Sequence, residues 1–294
     1  MITYRELRNR WAEKVLKAGI ENADFELNEL LGKATGVDCR SGAFLALLDE
    51  QAECKAEFES LCNRRLKGEP LQYILGEWEF YGLPFKVGKG VLIPRQDTET
   101  IVENAINKLK GRENLTVVDL CSGSGCIGIA LEKNLNCDEV LCVEKSDEAF
   151  EYLKENIALN KSDAKAVSGD IFDEEVISIV PMADLIVCNP PYITGEDMKN
   201  LQTEVRFEPE TALYGGDDGL DYYRDTVRLW KHKLKENGMM LFEIGIGQED
   251  DVMKIMIQHG FKDVRTRADY CGKNRCVFGY MKNSPKLCTD VMSV

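Results

Sequence analysis

Four consecutive residues, Asn189, Pro190, Pro191 and Tyr192, combine groups that could hold a planar amine. Two adjacent prolines have no N–H to donate and fix the local φ, so the turn presents its carbonyl groups outward. The Asn189 side chain adds an acceptor and a donor, and the Tyr192 ring adds a flat face. Two acceptors could take both hydrogens of an –NH2 group and aim its lone pair at an electrophile. The alternative interpretation is a proline-rich turn without chemistry.

The position of this motif favours the functional interpretation. The apolar run at residues 184–188 precedes it and predicts a buried parallel strand. The motif then follows the carboxyl end of that strand, which is where open α/β sheets bind ligands.

Three further features follow the predicted strands before this one. The first is a glycine-rich turn, Asp119-Leu-Cys-Ser-Gly-Ser-Gly125, where the backbone can approach a ligand closely. Glu144 ends the second strand, where a carboxylate can accept hydrogen bonds from both ribose hydroxyls. Asp170 follows the third strand and could meet an adenine edge. Each carboxylate alone could be a surface residue, but the combination favours a cofactor that contains adenosine.

Two such cofactors are compatible with the glycine-rich turn. Gly123-Ser-Gly-Cys-Ile-Gly128 satisfies the G-x-G-x-x-G pattern of dinucleotide sites. Hydride transfer to NAD, however, would need an acid or base near the substrate carbonyl, and residues 189–192 supply none. A sulfonium cofactor carries its own leaving group and needs only alignment of methyl and acceptor, with a group that takes one proton. We therefore favour S-adenosylmethionine over NAD.

The hydrophobic pattern predicts the elements that position these residues. Apolar residues at helical spacing predict four helices over residues 3–67, and two short strands around Gly82 predict a hairpin. From residue 116, seven apolar strands alternate with helices, one of which is predicted over residues 219–236. This pattern predicts an α/β fold with a mostly parallel sheet and helices on both faces. The expected division is a helical domain (1–70), a hairpin linker (71–93), a sheet domain (94–282) and a flexible tail (283–294).

The composition limits the function classes. A net charge of −14 disfavours non-specific binding to nucleic acid, which needs clustered Lys and Arg. The 11 cysteines and two histidines contain no C-x-x-C pair, so we expect free thiols in a reducing cytoplasm and no metal site. The charged N-terminus and the lack of an apolar run of membrane length predict a cytoplasmic protein without a membrane segment.

Several blocks together resemble the release factor glutamine methyltransferases, the HemK/PrmC family of class I S-adenosylmethionine-dependent methyltransferases. Residues 119–125 and 189–192 carry part of the resemblance. The other blocks are Gly68-Glu-Pro-Leu-Gln-Tyr-Ile-Leu-Gly76, Val91-Leu-Ile-Pro-Arg-Gln-Asp-Thr-Glu99, Arg206-Phe-Glu-Pro-Glu210 with Ala212-Leu213, and Gly219-Leu-Asp-Tyr-Tyr-Arg224. Their order matches the family over about residues 5–281.

The resemblance implies a Rossmann-like methyltransferase domain and a specific reaction. The reaction is N5-methylation of the glutamine in the Gly-Gly-Gln motif of class I peptide-chain release factors, with S-adenosylhomocysteine as the second product. The implied partners are those release factors, with no direct nucleic-acid binding, and the protein is expected to be a monomer.

The resemblance also implies roles for individual residues. Asn189 and the Pro190 carbonyl would take the amide hydrogens, and Tyr192 would pack on the amide, in a catalytic set of Asn189, Pro190, Pro191 and Tyr192. The implied cofactor residues are Asp119, Cys121, Ser122, Gly123, Ser124, Gly125, Glu144, Asp170, Ile171 and Asn189. The implied substrate residues are Pro94, Arg95, Thr98 and Glu99, together with the four catalytic positions.

Four positions depart from the family pattern. Cys121 replaces the first glycine of the loop, so its side chain is expected to point away from the cofactor or to loosen the fit. Gln96 replaces a proline, Ile171 stands where some members have an aromatic residue, and Glu144 replaces an aspartate with its acidic role kept. These changes bear on cofactor affinity and remove no proposed catalytic group.

Two rival functions are compatible with parts of the pattern. An N6-adenine or N2-guanine nucleic-acid methyltransferase would also use a motif suited to planar amines, but it must reach a base and needs a cationic surface. A binding protein that docks on the translation machinery without turnover would not need the intact motif at residues 189–192. Methyl transfer distinguishes the second rival from an enzyme.

Overall fold

The computed structural model describes residues 2–281, so the predicted tail at 283–294 lies outside the described residues. The chain divides into two compact units. The first contains the chain up to Trp78 with Val87–Lys89 and Leu201–Glu208. The second contains Glu79–Lys86, Gly90–Asn200 and the described residues from Pro209 onward.

The first unit is helical. Its helices are α1 (Tyr4–Lys17), α2 (Ala23–Thr35), α3 (Gly42–Leu47), α4 (Lys55–Leu66) and α5 (Leu71–Leu75). Thr3 and Glu6 form a capping box at the start of α1, in which each side chain accepts a hydrogen bond from the other residue's backbone N–H. The helices share one apolar core, which includes Leu7, Leu30 and Phe58. The short helix α5 lies in the range where the sequence predicts a linker.

Arg65 attaches a distant segment to this helical unit. Its side chain is only 4% exposed and forms ion pairs with Glu26 at 2.5 Å and with Glu204 at 2.5 Å. Glu26 lies on α2, and Glu204 lies in Leu201–Glu208, which follows the Asn-Pro-Pro-Tyr motif in the chain. A buried guanidinium is stable only when it is paired, so these two carboxylates fix the position of that segment within the unit.

The hairpin and the main sheet contain nine strands among the described residues. The hairpin is β1 (Glu77–Phe80) and β2 (Leu83–Lys86). The main sheet contains β3 (Leu115–Leu120), β4 (Cys137–Glu144), β5 (Lys165–Ser168), β6 (Ala183–Cys188), β7 (Leu234–Glu243), β8 (Lys262–Ala268) and β9 (Asn274–Met281). Their order is β5-β4-β3-β6-β7-β9-β8. All neighbouring pairs are parallel except those that involve β9.

Helices cover both faces of this sheet. They are α6 (Glu99–Leu109), α7 (Cys126–Asn134), α8 (Asp147–Leu159), α9 (Glu174–Ile179), α10 (Asp221–Trp230) and α11 (Glu249–Gln258). Two apolar cores result, one that includes Ile101, Ile129 and Leu153 and one that includes Val176, Trp230 and Met256. The predicted α/β fold with a mostly parallel seven-stranded sheet is confirmed.

Two local predictions differ from the structure. The helix predicted over residues 219–236 ends at Trp230, and Leu234 begins β7. Leu234 pairs with Ala183 of β6, so residues 234–238 belong to strand β7 and not to the helix. Sheet pairing outweighs the local helical pattern here. Helix α9 was not predicted, because its six residues carry too little periodicity. In residues 2–281, no helix is both long and apolar enough to cross a membrane.

Candidate active site

A cavity of about 650 Å³ lies at the carboxyl ends of the parallel strands in the sheet unit. This is the edge at which the sequence places the candidate residues. The predicted residues that line it are Pro94, Arg95, Thr98, Cys121, Ser122, Gly123, Ser124, Glu144, Asp170, Ile171, Asn189 and Pro191. One cavity therefore contains residues from the glycine-rich turn and from the Asn-Pro-Pro-Tyr motif.

The glycine-rich turn after β3 depends on left-handed backbone at three residues. The φ angles are 57° at Cys121, 54° at Gly123 and 80° at Gly125. A Cβ at Gly125 would lie 2.4 Å from Leu153 Cδ1, so this position requires glycine. A Cβ at Gly123 would meet no atom closer than 4.0 Å, which leaves room for a ligand on that side.

Cys121 adopts the conformation that glycine usually takes. A side chain in the left-handed region costs about 1 kcal/mol or more, so the chain retains a strained residue at this point. The residue lines the cavity, and its thiol lies beside Cys188 at the end of β6. Burial, with a contribution from the Cys121 thiol, raises the pKa of Cys188 well above its usual value.

Glu144 is held at the end of β4 by two backbone donors. Its carboxylate accepts the N–H of Gly123 at 2.8 Å and the N–H of Ser146 at 2.7 Å. These bonds link the second strand end to the glycine-rich turn and leave further lone pairs on both oxygens. A carboxylate fixed in this way can accept two vicinal hydroxyls, so the position fits a ribose.

The far end of the cavity combines a carboxylate with apolar and aromatic surface. Asp170 forms an ion pair with Lys145 at 2.7 Å, and Ile171 is buried beside it. Tyr222 of α10 also lines the cavity, and its ring centroid lies 5.2 Å from that of Phe172. The sequence analysis assigned no role to Tyr222, although the residue lies in the block Gly219–Arg224. Its aromatic face fits an adenine ring at the place where Ile171 cannot stack.

The Asn-Pro-Pro-Tyr turn is fixed from outside the cavity. Gln248, at the start of α11, donates its Nε2 to the carbonyls of Tyr192 at 3.1 Å and Gly219 at 3.2 Å. The N–H of Ile193 donates to the Leu213 carbonyl at 2.8 Å, and the Ile193 carbonyl accepts the N–H of Gly215 at 2.9 Å. A Cβ at Gly215 would lie 2.6 Å from the Pro191 carbonyl oxygen, so only glycine allows this approach. Neither Gln248 nor Gly215 was identified from the sequence.

Five predicted residues do not line the cavity: Asp119, Glu99, Gly125, Pro190 and Tyr192. Asp119 is fully buried below the turn, where its Oδ2 accepts the N–H of Gly128 at 2.9 Å. Burial raises its pKa to about 7. Glu99 accepts the N–H of Tyr81 at 2.8 Å, which places its carboxylate at the hairpin turn.

Pro190 and Tyr192 belong to the turn but do not line the cavity. Pro190 is buried, and Tyr192 packs against the apolar core on that face of the sheet. Burial raises the pKa of the Tyr192 phenol, with Glu243 as a further cause, so the ring carries a neutral hydroxyl. In the part of the chain that the structure describes, no group of three or more His, Cys, Asp or Glu residues could hold a metal ion.

The sheet order, the antiparallel β9 and the cavity that joins a ribose-type carboxylate to an amine-type turn define a class I methyltransferase. Comparisons with known proteins agree. The chain matches the methyltransferase small domain over residues 98–211 and the PrmC N-terminal domain over residues 6–76. The solved structure of a methyltransferase from Pyrococcus furiosus has the same fold, with a TM-score of 0.53 at 18% identity over 69% of this chain and 91% of that one.

Curated relatives give the family. A release factor glutamine methyltransferase from Geobacter sulfurreducens is 41% identical over 89% of this chain and 90% of its own length. One from Haemophilus influenzae is 35% identical over 96% of this chain and 100% of its own length. The chain belongs to the release factor glutamine methyltransferase family, as the sequence blocks indicated. Methyltransferases of this fold generally use S-adenosylmethionine, and the geometry of the turn and of Glu144 fits that cofactor.

Proposed function

We propose that this protein transfers a methyl group from S-adenosylmethionine to the side-chain nitrogen of a glutamine. The substrate is the Gly-Gly-Gln motif of class I peptide-chain release factors, and the second product is S-adenosylhomocysteine. The observation that supports this most strongly is the single cavity that Glu144 and Asn189 both line. A cofactor methyl and a planar nitrogen can meet there without a covalent enzyme intermediate.

The cofactor end of the site follows from the geometry of the strand ends. In this proposal, Cys121, Ser122, Gly123 and Ser124 surround the methionine part of the cofactor, and Gly125, which does not line the cavity, completes the turn against Leu153. Glu144 accepts the ribose hydroxyls with the lone pairs that Gly123 and Ser146 leave available. Asp170, Ile171 and Tyr222 contact the adenine. Asp119 acts from below by holding the turn through the N–H of Gly128.

The substrate end uses the residues of the Asn-Pro-Pro-Tyr turn. The lone pair of a primary amide is delocalised into its carbonyl group, so the nitrogen is a weak nucleophile. In this proposal, the Asn189 side chain and the Pro190 carbonyl accept the two amide hydrogens, and Pro191 and Tyr192 hold the turn in shape. When bound, S-adenosylmethionine supplies an electrophilic methyl group with a neutral thioether as leaving group. The contribution of the protein is alignment and exclusion of water.

The linker region contributes the entrance of the site. Pro94, Arg95 and Thr98 line the cavity, and we propose that they contact the substrate glutamine and its neighbours. Glu99 stabilises the hairpin through Tyr81, which makes it a support for this entrance. We further propose that the helical unit and the segment at residues 189–218 dock the release factor, and that the protein acts in the cytoplasm as a monomer.

Labelled S-adenosylmethionine tests the proposed reaction. The protein is incubated with an intact class I release factor, with the same factor carrying Ala in place of the Gly-Gly-Gln glutamine, and with duplex DNA. We expect label on the intact factor alone. Label on DNA would support the nucleic-acid rival, and label on both forms of the factor would mean that another residue is the acceptor. Bound cofactor without any transfer would support the rival that binds without turnover.

A further inference from the structure

Glu243 places a carboxyl group beside the Asn-Pro-Pro-Tyr motif. It is the last residue of β7, which runs parallel to β6. Cys188 of β6 pairs with Phe242, so Glu243 and Asn189 are the next residues along two adjacent strands. Both therefore lie at the edge of the sheet where the cavity opens. The sequence analysis did not identify Glu243, because only the strand pairing brings it to the motif.

The carboxyl group of Glu243 is buried, and one of its oxygens lacks a hydrogen-bond partner among the described residues. The residue is 3% exposed, and its Oε2 has no hydrogen-bond partner among residues 2–281. The Oγ1 of Thr98 also lacks a hydrogen-bond partner among these residues, and Thr98 is 1% exposed. Thr98 lines the cavity whereas Glu243 does not, and the Thr98 side chain lies beside the Glu243 carboxyl group. Buried polar atoms without a partner are rare in folded proteins and often have a functional role.

The surroundings of Glu243 raise the pKa of its carboxyl group into the neutral range. Its pKa is raised to about 7, chiefly by burial and also by Asp97, while Thr98, Arg275 and Arg95 partly oppose the rise. The remaining titratable groups near it come from every element packed on this strand end. They are Cys126 on α7, Cys188 and Tyr192 around the end of β6, Tyr223 on α10 and Cys276 on β9. Burial raises the pKa of each of these five groups, so all are neutral near pH 7. Asp119 of β3 also acts on Cys126 and Cys188, and its pKa is likewise about 7, so Glu243 and Asp119 can both exchange a proton near neutral pH; of the two, Glu243 is the one at the strand end next to Asn189.

We propose that Glu243 accepts, through the Thr98 hydroxyl, the proton that the substrate amide loses when its nitrogen is methylated. The carbon–sulfur bond of the cofactor breaks as the carbon–nitrogen bond forms. One of the two amide protons, which the Asn189 side chain and the Pro190 carbonyl hold in the bound substrate, passes to the Thr98 oxygen as its N–H bond breaks, while the Thr98 hydroxyl proton passes to the Glu243 carboxylate. The product is a neutral N-methylamide, and Glu243 returns its proton to solvent after product release. This inference rests on the proposed function.

The alternative is that Glu243 has only a structural role. The structural carboxyl groups of this protein differ in their pairing: Asp184 pairs with Arg112 at 2.5 Å and Lys235 at 2.7 Å, whereas the buried Asp119 leaves its Oδ1 without a partner among the described residues. Glu243 differs from both by its place at the end of β7 next to Asn189 and by the cavity-lining Thr98 beside it. An acceptor with a pKa near the working pH is effective in proton transfer, which contributes about 10²–10⁴-fold to rate.

The pH profile of kcat distinguishes the two roles. For the wild-type protein with an intact release factor, we expect kcat to rise with pH through about 7 as Glu243 ionises. Glu243→Gln should lower kcat about 100-fold and remove this rise, with unchanged affinity for S-adenosylmethionine. A Glu243→Gln variant that keeps the rise, or loses cofactor binding as much as rate, would overturn the proposal.

Thr98 provides a second test that does not depend on the Glu243 variant folding. Thr98→Val keeps the shape but removes the hydroxyl, and should reproduce the loss of the pH-dependent rise. Thr98→Ser keeps the hydroxyl and should restore it. Equal profiles for the Val and Ser variants would overturn the proposal. If the wild-type protein transfers no methyl to the factor, the proposed function fails as well; transfer with an unchanged profile in the variants overturns this inference alone.

Discussion

Tyr222 provides the aromatic surface at the end of the cavity where we propose that adenine binds. Ile171, also at this end, can offer only aliphatic contact, whereas the Tyr222 ring lines the cavity and is braced by Phe172 at 5.2 Å. A stacked aromatic pair is worth about 0.5–1.5 kcal/mol beyond the area that it buries. The departure of Ile171 from the family pattern is therefore compatible with normal cofactor affinity, provided that Tyr222 stacks on the adenine.

We expect Tyr222→Leu to weaken binding of S-adenosylmethionine about tenfold, since stacking is lost while apolar volume is kept. Isothermal titration calorimetry measures this directly. Tyr222→Phe is the matched control and should bind the cofactor as the wild type does. Equal dissociation constants for the Leu and Phe variants would show that the ring does not contact the adenine.

Asp119 makes the stability of the protein depend on pH in an uncommon direction. Burial raises its folded-state pKa to about 7, whereas an unfolded aspartate has a pKa of about 3.9. The folded state binds the extra proton between these values, so stability falls as pH rises from about 4 to about 7. Aspartates whose pKa is lowered, such as Asp184 and Asp218, change stability only below this range.

We expect the melting temperature of the cofactor-free protein to fall between pH 5 and pH 7. The contribution of Asp119 is at most about 1.4 kcal/mol per pH unit. Asp119→Asn should make this fall smaller, because the amide does not titrate and still accepts the N–H of Gly128, while the part that remains comes from Glu243, whose pKa is also raised to about 7. Differential scanning calorimetry of both proteins across the range is the measurement. An unchanged slope in the variant would mean that Asp119 is already ionised in the folded state.

Helix α11 controls the shape of the Asn-Pro-Pro-Tyr turn through one side chain. Gln248 donates to Tyr192 and Gly219 and accepts the N–H of Gly245 at 2.9 Å, so it joins three loops behind the motif. Loss of such bonds leaves buried carbonyls unpaired, at a cost of about 1–3 kcal/mol. We propose that the alignment of the substrate nitrogen depends on this support.

Gln248→Ala should lower kcat about tenfold and leave the dissociation constant for S-adenosylmethionine unchanged. Gln258→Ala is the matched control, because Gln258 is an exposed residue at the other end of α11. Single-turnover methyl transfer with a release factor gives the rate. If both variants react at the wild-type rate, the turn does not need this support.

Most helices and strands, and many of the residues that line the cavity, could be predicted because their sequence signals are local. Glycines, acidic strand ends and the Asn-Pro-Pro-Tyr motif follow apolar strands directly, and parallel strands place their carboxyl ends at one edge. Gln248, Gly215 and Glu243 could not be assigned roles, since each reaches the motif only through strand pairing or loop packing across the chain. The predicted start of β7 was wrong for the same reason, because pairing with β6 determines where the strand begins.

At the scale of the whole molecule, the acceptor glutamine lies within a large protein substrate. A narrow cavity can select an amide, but recognition of a particular protein needs a second surface. The helical unit exposes three large apolar side chains, Leu16 at 57%, Phe25 at 46% and Leu45 at 66%. Its own core is complete without them, so they are available for a partner.

We expect Leu16→Ser, Phe25→Ser and Leu45→Ser together to raise KM for an intact release factor about tenfold or more. The three substitutions should leave kcat/KM unchanged for a short peptide that carries Gly-Gly-Gln, because the cavity is intact. Steady-state kinetics with the two substrates provide the comparison. A triple variant with wild-type KM for the intact factor would exclude this face of the helical unit from docking.

Fragment mass spectrometry of a release factor after reaction tests the central claim most directly. The experiment compares the wild-type protein with Asn189→Ala at saturating S-adenosylmethionine, after calorimetry has confirmed that both bind the cofactor. The account predicts one added methyl group on the Gly-Gly-Gln glutamine with the wild type and a loss of most of this signal with Asn189→Ala. A methyl group on any other residue, or full methylation by Asn189→Ala, would contradict it.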